Sequence, residues 1–213
     1  MNAARLLIAT GNRHKVDEIA AILRDLLPAF TWELRSAADF PHVPEPVEDG
    51  DTFEANAAIK ARGWAMHPDV RAVGLAALAD DSGLVVDALA GRPGILSARY
   101  GATPTARIER VLREMRDVGD SHRSARFECV VTLASADGDL WTARGTVEGR
   151  ITHAPRGMAG FGYDPIFELT DGPHAGLTLA EVPESVKNGL SHRARALRAL
   201  APTLAAVLRP AGV

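Results

Sequence analysis

The sequence predicts an α/β fold, a mixed β-sheet with flanking helices, and three observations carry that prediction. Aromatic residues make up only 5% of the chain, and Ala, Val, Leu and Gly supply the apolar content, which suits helices packed closely on a sheet better than an aromatic-rich sandwich. Apolar runs of strand length occur between segments of helical periodicity. The strand segments do not alternate regularly with the helical ones, so a mixed sheet is expected in place of a purely parallel one. With 213 residues and 46% hydrophobic content, the chain can bury roughly two-thirds of its unfolded surface without disulfides or a structural metal. A single domain over residues 1–213 is expected.

In chain order, Leu6-Leu7-Ile8-Ala9-Thr10 reads as a short strand ending in a polar turn. Val16, Ile19, Ala20, Leu23, Leu26 and Leu27 then recur at helical spacing as far as Pro28. Residues 36–50 hold Pro41, Pro44 and Pro46 and read as a loop. Asp51 and Glu54 resemble a capping pair that opens a helix to about Met66. Leu75–Ala79 and Leu84–Val86 flank Asp80-Asp81-Ser82-Gly83, which is expected where apolar strand segments meet a turn. Thr103-Pro104 opens a helix with Ile108, Val111, Leu112 and Met115 on one face. Ala125–Ser135 and Leu140–Ile151 are two longer strands joined at Asp137-Gly138-Asp139, a hairpin signal. Residues 154–164 are glycine-rich and 170–190 irregular, and a last helix spans about Ser191–Leu208.

A formal charge of −3 argues against a long polyanion as main partner, because such binding needs a basic face that releases many counterions. No stable nucleic-acid partner is expected. The lone Cys129 sits in an apolar run, which excludes an intramolecular disulfide and predicts an inert packed thiol. No apolar stretch approaches the ~20 residues that span a bilayer, and Met1–Thr10 lacks a signal-peptide core. No membrane partner and a cytoplasmic location are therefore expected.

Four segments offer chemistry. Thr10-Gly11-Asn12-Arg13-His14-Lys15 is a turn from strand to helix, where first-turn amides and the Lys15 charge favour an anion; its spacing is neither that of a P-loop nor of a dinucleotide fingerprint, and a plain turn is equally compatible. Asp80-Asp81-Ser82-Gly83, with Glu48 from the preceding loop, brings acids together that would repel unless solvated, paired or bound to a cation, or is an ordinary exposed turn. In Gly160-Phe161-Gly162-Tyr163-Asp164-Pro165, glycines open the backbone beside two rings on which a purine can stack, though buried aromatics at a bulged corner fit too. Lys187 and Ser191-His192-Arg193 place positive groups at the start of the last helix, where the alternative is a capped helix with a solvated face. Together these segments point to a nucleotide and a metal.

Taken in order, six blocks resemble the inosine triphosphate pyrophosphatase family. They are Ala9-Thr10-Gly11-Asn12 with Lys15 and Glu18, Glu48 with Thr52-Phe53 and Asn56-Ala57, Ala79 to Leu84, Pro93-Gly94-Ile95 with Ser97 to Tyr100, Phe161 to Pro165, and Lys187 with Ser191-His192-Arg193. The resemblance implies an elongated mixed sheet, two lobes around a central nucleotide cleft, and a homodimer. It implies hydrolysis of ITP, dITP and XTP between the α and β phosphates, which cleanses the nucleotide pool. By the same carry-over Thr10, Gly11, Asn12, Arg13, His14 and Lys15 bind phosphate, Glu48 and Asp81 hold Mg²⁺, and Asp81 accepts the proton of the attacking water. Ser82, Phe161, Gly162, Tyr163, Asp164, Lys187, His192 and Arg193 contact the nucleotide, Arg193 also stabilising the leaving pyrophosphate. A Maf-like nucleotide pyrophosphatase and a non-catalytic nucleotide sensor are the competing expectations; an RNA-binding module rests only on Arg193, Arg195 and Arg198 of the last helix.

Overall fold

The structure is a computed structural model that describes residues 3–183, 186 and 189–208. Its strands are β1 (Ala4–Ile8), β2 (Trp32–Ser36), β3 (Ala76–Val86), β4 (Ser124–Ala134), β5 (Leu140–Ile151) and β6 (Phe167–Leu169). The helices are α1 (Arg13–Leu26), α2 (Phe53–Met66), α3 (Pro68–Ala72), α4 (Pro104–Glu114) and α5 (His192–Val207). The strands form one sheet in the order β2-β1-β3-β4-β5-β6. β1 runs parallel to both β2 and β3 while β5 is antiparallel to β6, so the sheet is mixed and the fold is α/β, as the composition and patterning predict.

The chain divides into two compact units, the first comprising Met1–Asp81, Cys129–Gly145 and Arg193–Val213 and the second Ser82–Glu128 and Thr146–His192. In the first, alternation along the strands sorts side chains onto two faces. Leu6, Ile8, Leu78 and Val131 pack with Ile19 and Leu23 of α1 and with Leu197, Leu200 and Leu204 of α5. Leu7, Ala9, Ala77 and Ala79 pack on the opposite face with Ala61, Trp64 and Ala65 of α2 and Val70 of α3. Such two-sided burial explains the nearly continuous apolar runs of β1 and β3.

The second unit has its own core, in which Leu84 and Val86 of β3 meet Val111 and Met115, Phe127 of β4, Val147 and Ile151 of β5, and Tyr163, Ile166 and Phe167. Arg123 is only 3% exposed within it. Its guanidinium donates to the carbonyls of Met115 and Val118 just past α4 and to those of Ile151 and Thr152 at the end of β5. One side chain thereby ties the carbonyls at the end of a helix to those at the end of a strand, sharing the Met115 carbonyl with the Val118 amide.

Several local expectations are corrected. The tetrad Asp80-Asp81-Ser82-Gly83 is no turn, for β3 runs through it without interruption and buries Asp80 and Asp81 to 2% and 8% exposure. Its polar composition imitates a turn, but ion pairs described below let the acids stay in the strand. Gly83 belongs there for a packing reason, since a Cβ would come within 2.4 Å of the Gly94 carbonyl oxygen and the Ser97 hydroxyl. The helix expected from Asp51 is capped one residue later, where the Thr52 hydroxyl accepts from the Ala55 amide. β2 was unexpected because Trp-Glu-Leu-Arg-Ser lacks an apolar run; it is an edge strand paired to β1, with Glu33 bonded to Arg5. α3 is a single short turn of helix behind His67, whose ring accepts from the Asp69 amide.

Among the described residues no helix is long and apolar enough to cross a membrane. Cys129 is fully buried, and burial, with the Asp80 carboxylate beside it, pushes its thiol above the ordinary range. Since the thiolate is the reactive species, Cys129 should stay unmodified by a water-soluble disulfide reagent in the native protein and react stoichiometrically once guanidinium unfolds it. Rapid labelling under native conditions would contradict this packing.

Candidate active site

The turn after β1 is built by its own side chains. The Thr10 hydroxyl accepts from the Asn12 amide at 3.2 Å, and the Asn12 carboxamide caps α1 by accepting from the amides of His14 at 3.0 Å and Lys15 at 3.4 Å. Gly11, Asn12, Arg13 and His14 are exposed, and Thr10 and Lys15 are half-buried. An uncovered helix start with a positive N-terminal pole therefore faces solvent here.

Lys15 turns from that start toward β3, and its ammonium lies 3.0 Å from each oxygen of Asp80. On the same carboxylate the Arg193 guanidinium donates from Nε at 3.1 Å and from Nη2 at 2.9 Å, while Nη1 reaches Glu18 at 2.5 Å. The four groups bring two positive and two negative charges together with Asp80 at the centre. Burial alone would raise the Asp80 pKa, but the charges of Lys15, Arg193 and Lys60 overcome it and hold the carboxyl far below its usual range. Arg193 is 1% exposed, so the structure places its guanidinium inside this network.

On the opposite face of β3, Asp81 has a different environment. The Asn56 carboxamide donates to its Oδ2 at 3.1 Å and accepts from the Gly50 amide at 3.0 Å, tying the 48–50 loop to the strand. One helical turn later, Lys60 extends its ammonium to 3.3 Å from Glu48 Oε2 and 3.8 Å from Asp81 Oδ1. Two carboxylates thus converge on one cationic centre. An oxygen donor pair of this kind fits a hard divalent cation that completes its shell with water and substrate oxygens. Burial raises the Asp81 pKa, opposed in part by Lys60 and the Asn56 hydrogen bond.

The remaining expected residues lie in the second unit. Ser82 is half-buried in β3. Phe161 is 47% exposed, and its amide donates to Asp164 Oδ2 at 2.8 Å, closing a turn through Gly162 at φ 63°. Tyr163 is in the core with its hydroxyl donating to the Ser97 carbonyl at 2.8 Å, and burial pushes that phenol up to about 12. Of the two rings in this segment, Phe161 is the one that presents itself to solvent. His192 opens α5 and stacks its imidazole on Phe127, centroids 5.0 Å apart and planes 11° from parallel. Lys187 lies outside the described residues.

Asp80 and Asn56 fall within the recognised motifs without an expected role of their own, and Lys60 and Phe127 fall outside those motifs. Asn56 and Lys60 carry a legible signal, because their i, i+4 spacing puts both on one face of α2. The division between Asp80 and Asp81 is legible only once the tetrad is known to be strand. Phe127 gives no signal in the sequence beyond an aromatic in an apolar run.

The pattern of the Ham1 family matches residues 6–203. The dITP/XTP pyrophosphatase of Geobacter sulfurreducens is 49% identical, with 92% of this chain and 94% of that protein covered. That of Shouchella clausii is 44% identical over 95% of this chain and 97% of that protein. Among solved structures, a HAM1 protein from Coxiella burnetii superposes with a TM-score of 0.82 at 38% identity, covering 95% of this chain and 99% of that one. A nucleoside-triphosphatase, dITP/XTP pyrophosphatase, from Mycobacterium abscessus superposes with a TM-score of 0.71 at 39% identity, covering 93% and 99%. On matches of this length and identity, over the segments that build the site just described, the chain belongs to the Ham1 family.

Proposed function

We propose that this protein hydrolyses non-standard purine nucleoside triphosphates, dITP and XTP together with ITP, to the monophosphate and pyrophosphate. The observation that carries the reading is the pair of opposed carboxylates in β3, Asp80 under Lys15 and Asp81 facing Glu48 and Lys60, in a chain whose relatives are dITP/XTP pyrophosphatases. We further assign the metal as Mg²⁺, held by Glu48 and Asp81, and the working enzyme as a cytoplasmic homodimer.

In the reaction, water oxygen bonds to the α-phosphorus while the bond to the β-phosphate bridging oxygen breaks and pyrophosphate leaves. Mg²⁺ supplies neutralisation of the phosphate charge that would otherwise repel the nucleophile. Asp81 takes the proton of the water; burial raises its pKa, which makes its carboxylate a stronger base. Asn56 fixes the orientation of that carboxylate. Lys15 and the capped start of α1 bind phosphate, and Lys60 adds a second cation. Arg193 serves through Asp80, which it holds in place beneath Lys15. Direct attack by water fits these residues, because Asp81 supplies a base for it. Base recognition falls to Phe161, as a stacking face, and to His192, steadied on Phe127, as donor to the purine O6.

Asp81→Asn should keep the fold and lower kcat/KM for ITP by about 10²–10⁴-fold, the usual contribution of a general base. A purified variant retaining near wild-type pyrophosphate release would remove Asp81 from that role. EDTA should likewise abolish release, and Mg²⁺ restore it.

Lys15→Ala and Asp80→Asn should both raise KM for every triphosphate with little change in base preference, since one removes the phosphate-binding cation and the other its support. Thermal denaturation should separate them. Asp80→Asn removes the buried carboxylate that the Arg193 guanidinium grips with two nitrogens and should cost about 3–5 kcal/mol, as breaking buried pairs does. A destabilised Asp80→Asn with unchanged KM would make Asp80 purely structural.

Phe161→Ala should weaken all purine triphosphates alike by about 1–3 kcal/mol. His192→Ala should instead narrow the ratio of kcat/KM for ITP over ATP by about tenfold. An unchanged ratio in a less stable variant would reduce His192 to a helix-start residue.

A further inference from the structure

A second candidate ligand site lies wholly within the second unit, away from every residue assigned above. Arg123 and His153 line two adjoining cavities of about 450 and 290 Å³. The smaller is walled by Asp120, Arg123, Arg150, Thr152, Arg156 and Glu168 among others. The wider is bordered at the end of α4 by Arg113 and Arg116.

Two observations point to what this region accepts. First, Arg123 is a buried cation whose hydrogen bonds go to four neutral carbonyls and, among the described residues, to no carboxylate. Burial accordingly lowers its pKa, with some relief from the charge of Asp120. A guanidinium has five N–H donors, and the four bonds to Met115, Val118, Ile151 and Thr152 leave one Nη2–H over. A buried charge without a counter-ion is costly, and an anion at the cavity wall would lower that cost. Second, the acids that line the smaller cavity are already engaged. Glu168 is shared between Arg150 at 2.6 Å and Arg156 at 2.7 Å, and Asp120 meets His153 at 2.6 Å. Arg156 also meets Glu181 at 3.5 Å, so Arg150 and Arg156 are balanced by Glu168 and Glu181, and the guanidinium of the wall that bonds no carboxylate among the described residues is Arg123.

We infer that the Arg123–Arg150–His153–Arg156 cavity is a binding site for a small free oxyanion, inorganic phosphate or pyrophosphate. A volume of about 290 Å³ lies at the lower edge of ordinary ligand pockets, which span about 300–1,000 Å³, so a compact anion fits it better than a whole nucleotide. The guanidinium forks of Arg150 and Arg156 suit tetrahedral phosphoryl oxygens, and the exposed His153 stands at the mouth with a 66% accessible ring. This inference is independent of the reaction proposed above.

The test is calorimetric titration of the full-length protein with inorganic phosphate and, separately, pyrophosphate, in EDTA and low salt. Three proteins are compared: wild type, Lys15→Ala, and Arg150→Gln/His153→Gln, whose altered side chains are 49% and 66% exposed and so leave the fold intact. Wild type and Lys15→Ala should both bind one of these anions, and the double variant should bind it about tenfold or more weakly, as loss of charge-assisted bonds predicts. Equal binding by the double variant, loss of all binding in Lys15→Ala, or no binding by wild type at millimolar anion would each overturn the proposal. A single-stranded RNA whose affinity drops in the double variant, with neither free anion bound, would overturn it too by making the region a polyanion surface.

Discussion

The site depends on the period of two in a β-strand. Because successive side chains of β3 point to opposite faces, the adjacent acids Asp80 and Asp81 are delivered to two different environments. Asp80 faces the layer of α1 and α5 and is neutralised by Lys15 and Arg193. Asp81 faces the layer of α2 and meets Asn56 and Lys60. Were the tetrad a turn, both carboxylates would be solvated and nearly equivalent, and neither would have a pKa moved far from its ordinary value. The strand instead moves them in opposite directions, down for Asp80 and up for Asp81. One acid becomes a fixed anion that holds cations, and the other becomes a carboxylate of raised basicity.

The protein handles buried charge in two contrasting ways. Around Asp80 it assembles compensating charges from α1, β3 and α5, so three chain segments far apart in sequence become mutually necessary. Removing one member strands the others in a low-dielectric interior, which is why such networks are expensive to break. Around Arg123 it uses carbonyl dipoles, and among the described residues no carboxylate is bonded to the charge, though Asp120 acts on it from a distance. The first arrangement holds Lys15 against β3 at the start of α1. The second leaves an electrostatic deficit beside a cavity.

Helices contribute through their ends and their spacing. α1 begins a short turn after β1, and the Asn12 cap sets its first turn so that Lys15 reaches Asp80 within β3. α2 carries Asn56 and Lys60 one turn apart, and Thr52 fixes where that helix begins. α5 opens with His192 and Arg193, neighbours in sequence with separate surroundings, one stacked on Phe127 and the other buried against Asp80.

Much of this was legible in the chain. Composition and periodicity determined the α/β class, the mixed sheet, the helices near 16–27, 53–66 and 191–208, the long strands on either side of Asp137-Gly138-Asp139 and the buried character of Cys129, because these follow from local preference and from which residues water rejects. Ordered motifs determined the family. The tertiary structure alone decided that the Asp-rich tetrad is strand, that the charged segment Trp32–Ser36 is an edge strand, that Tyr163 packs inward while Phe161 faces out, and that Arg193 lies within an ion-pair network. Each of these turns on partners distant in sequence. A polar run joins a strand only when cations from elsewhere neutralise it, and the identity of those cations is a fact of packing that no local pattern encodes.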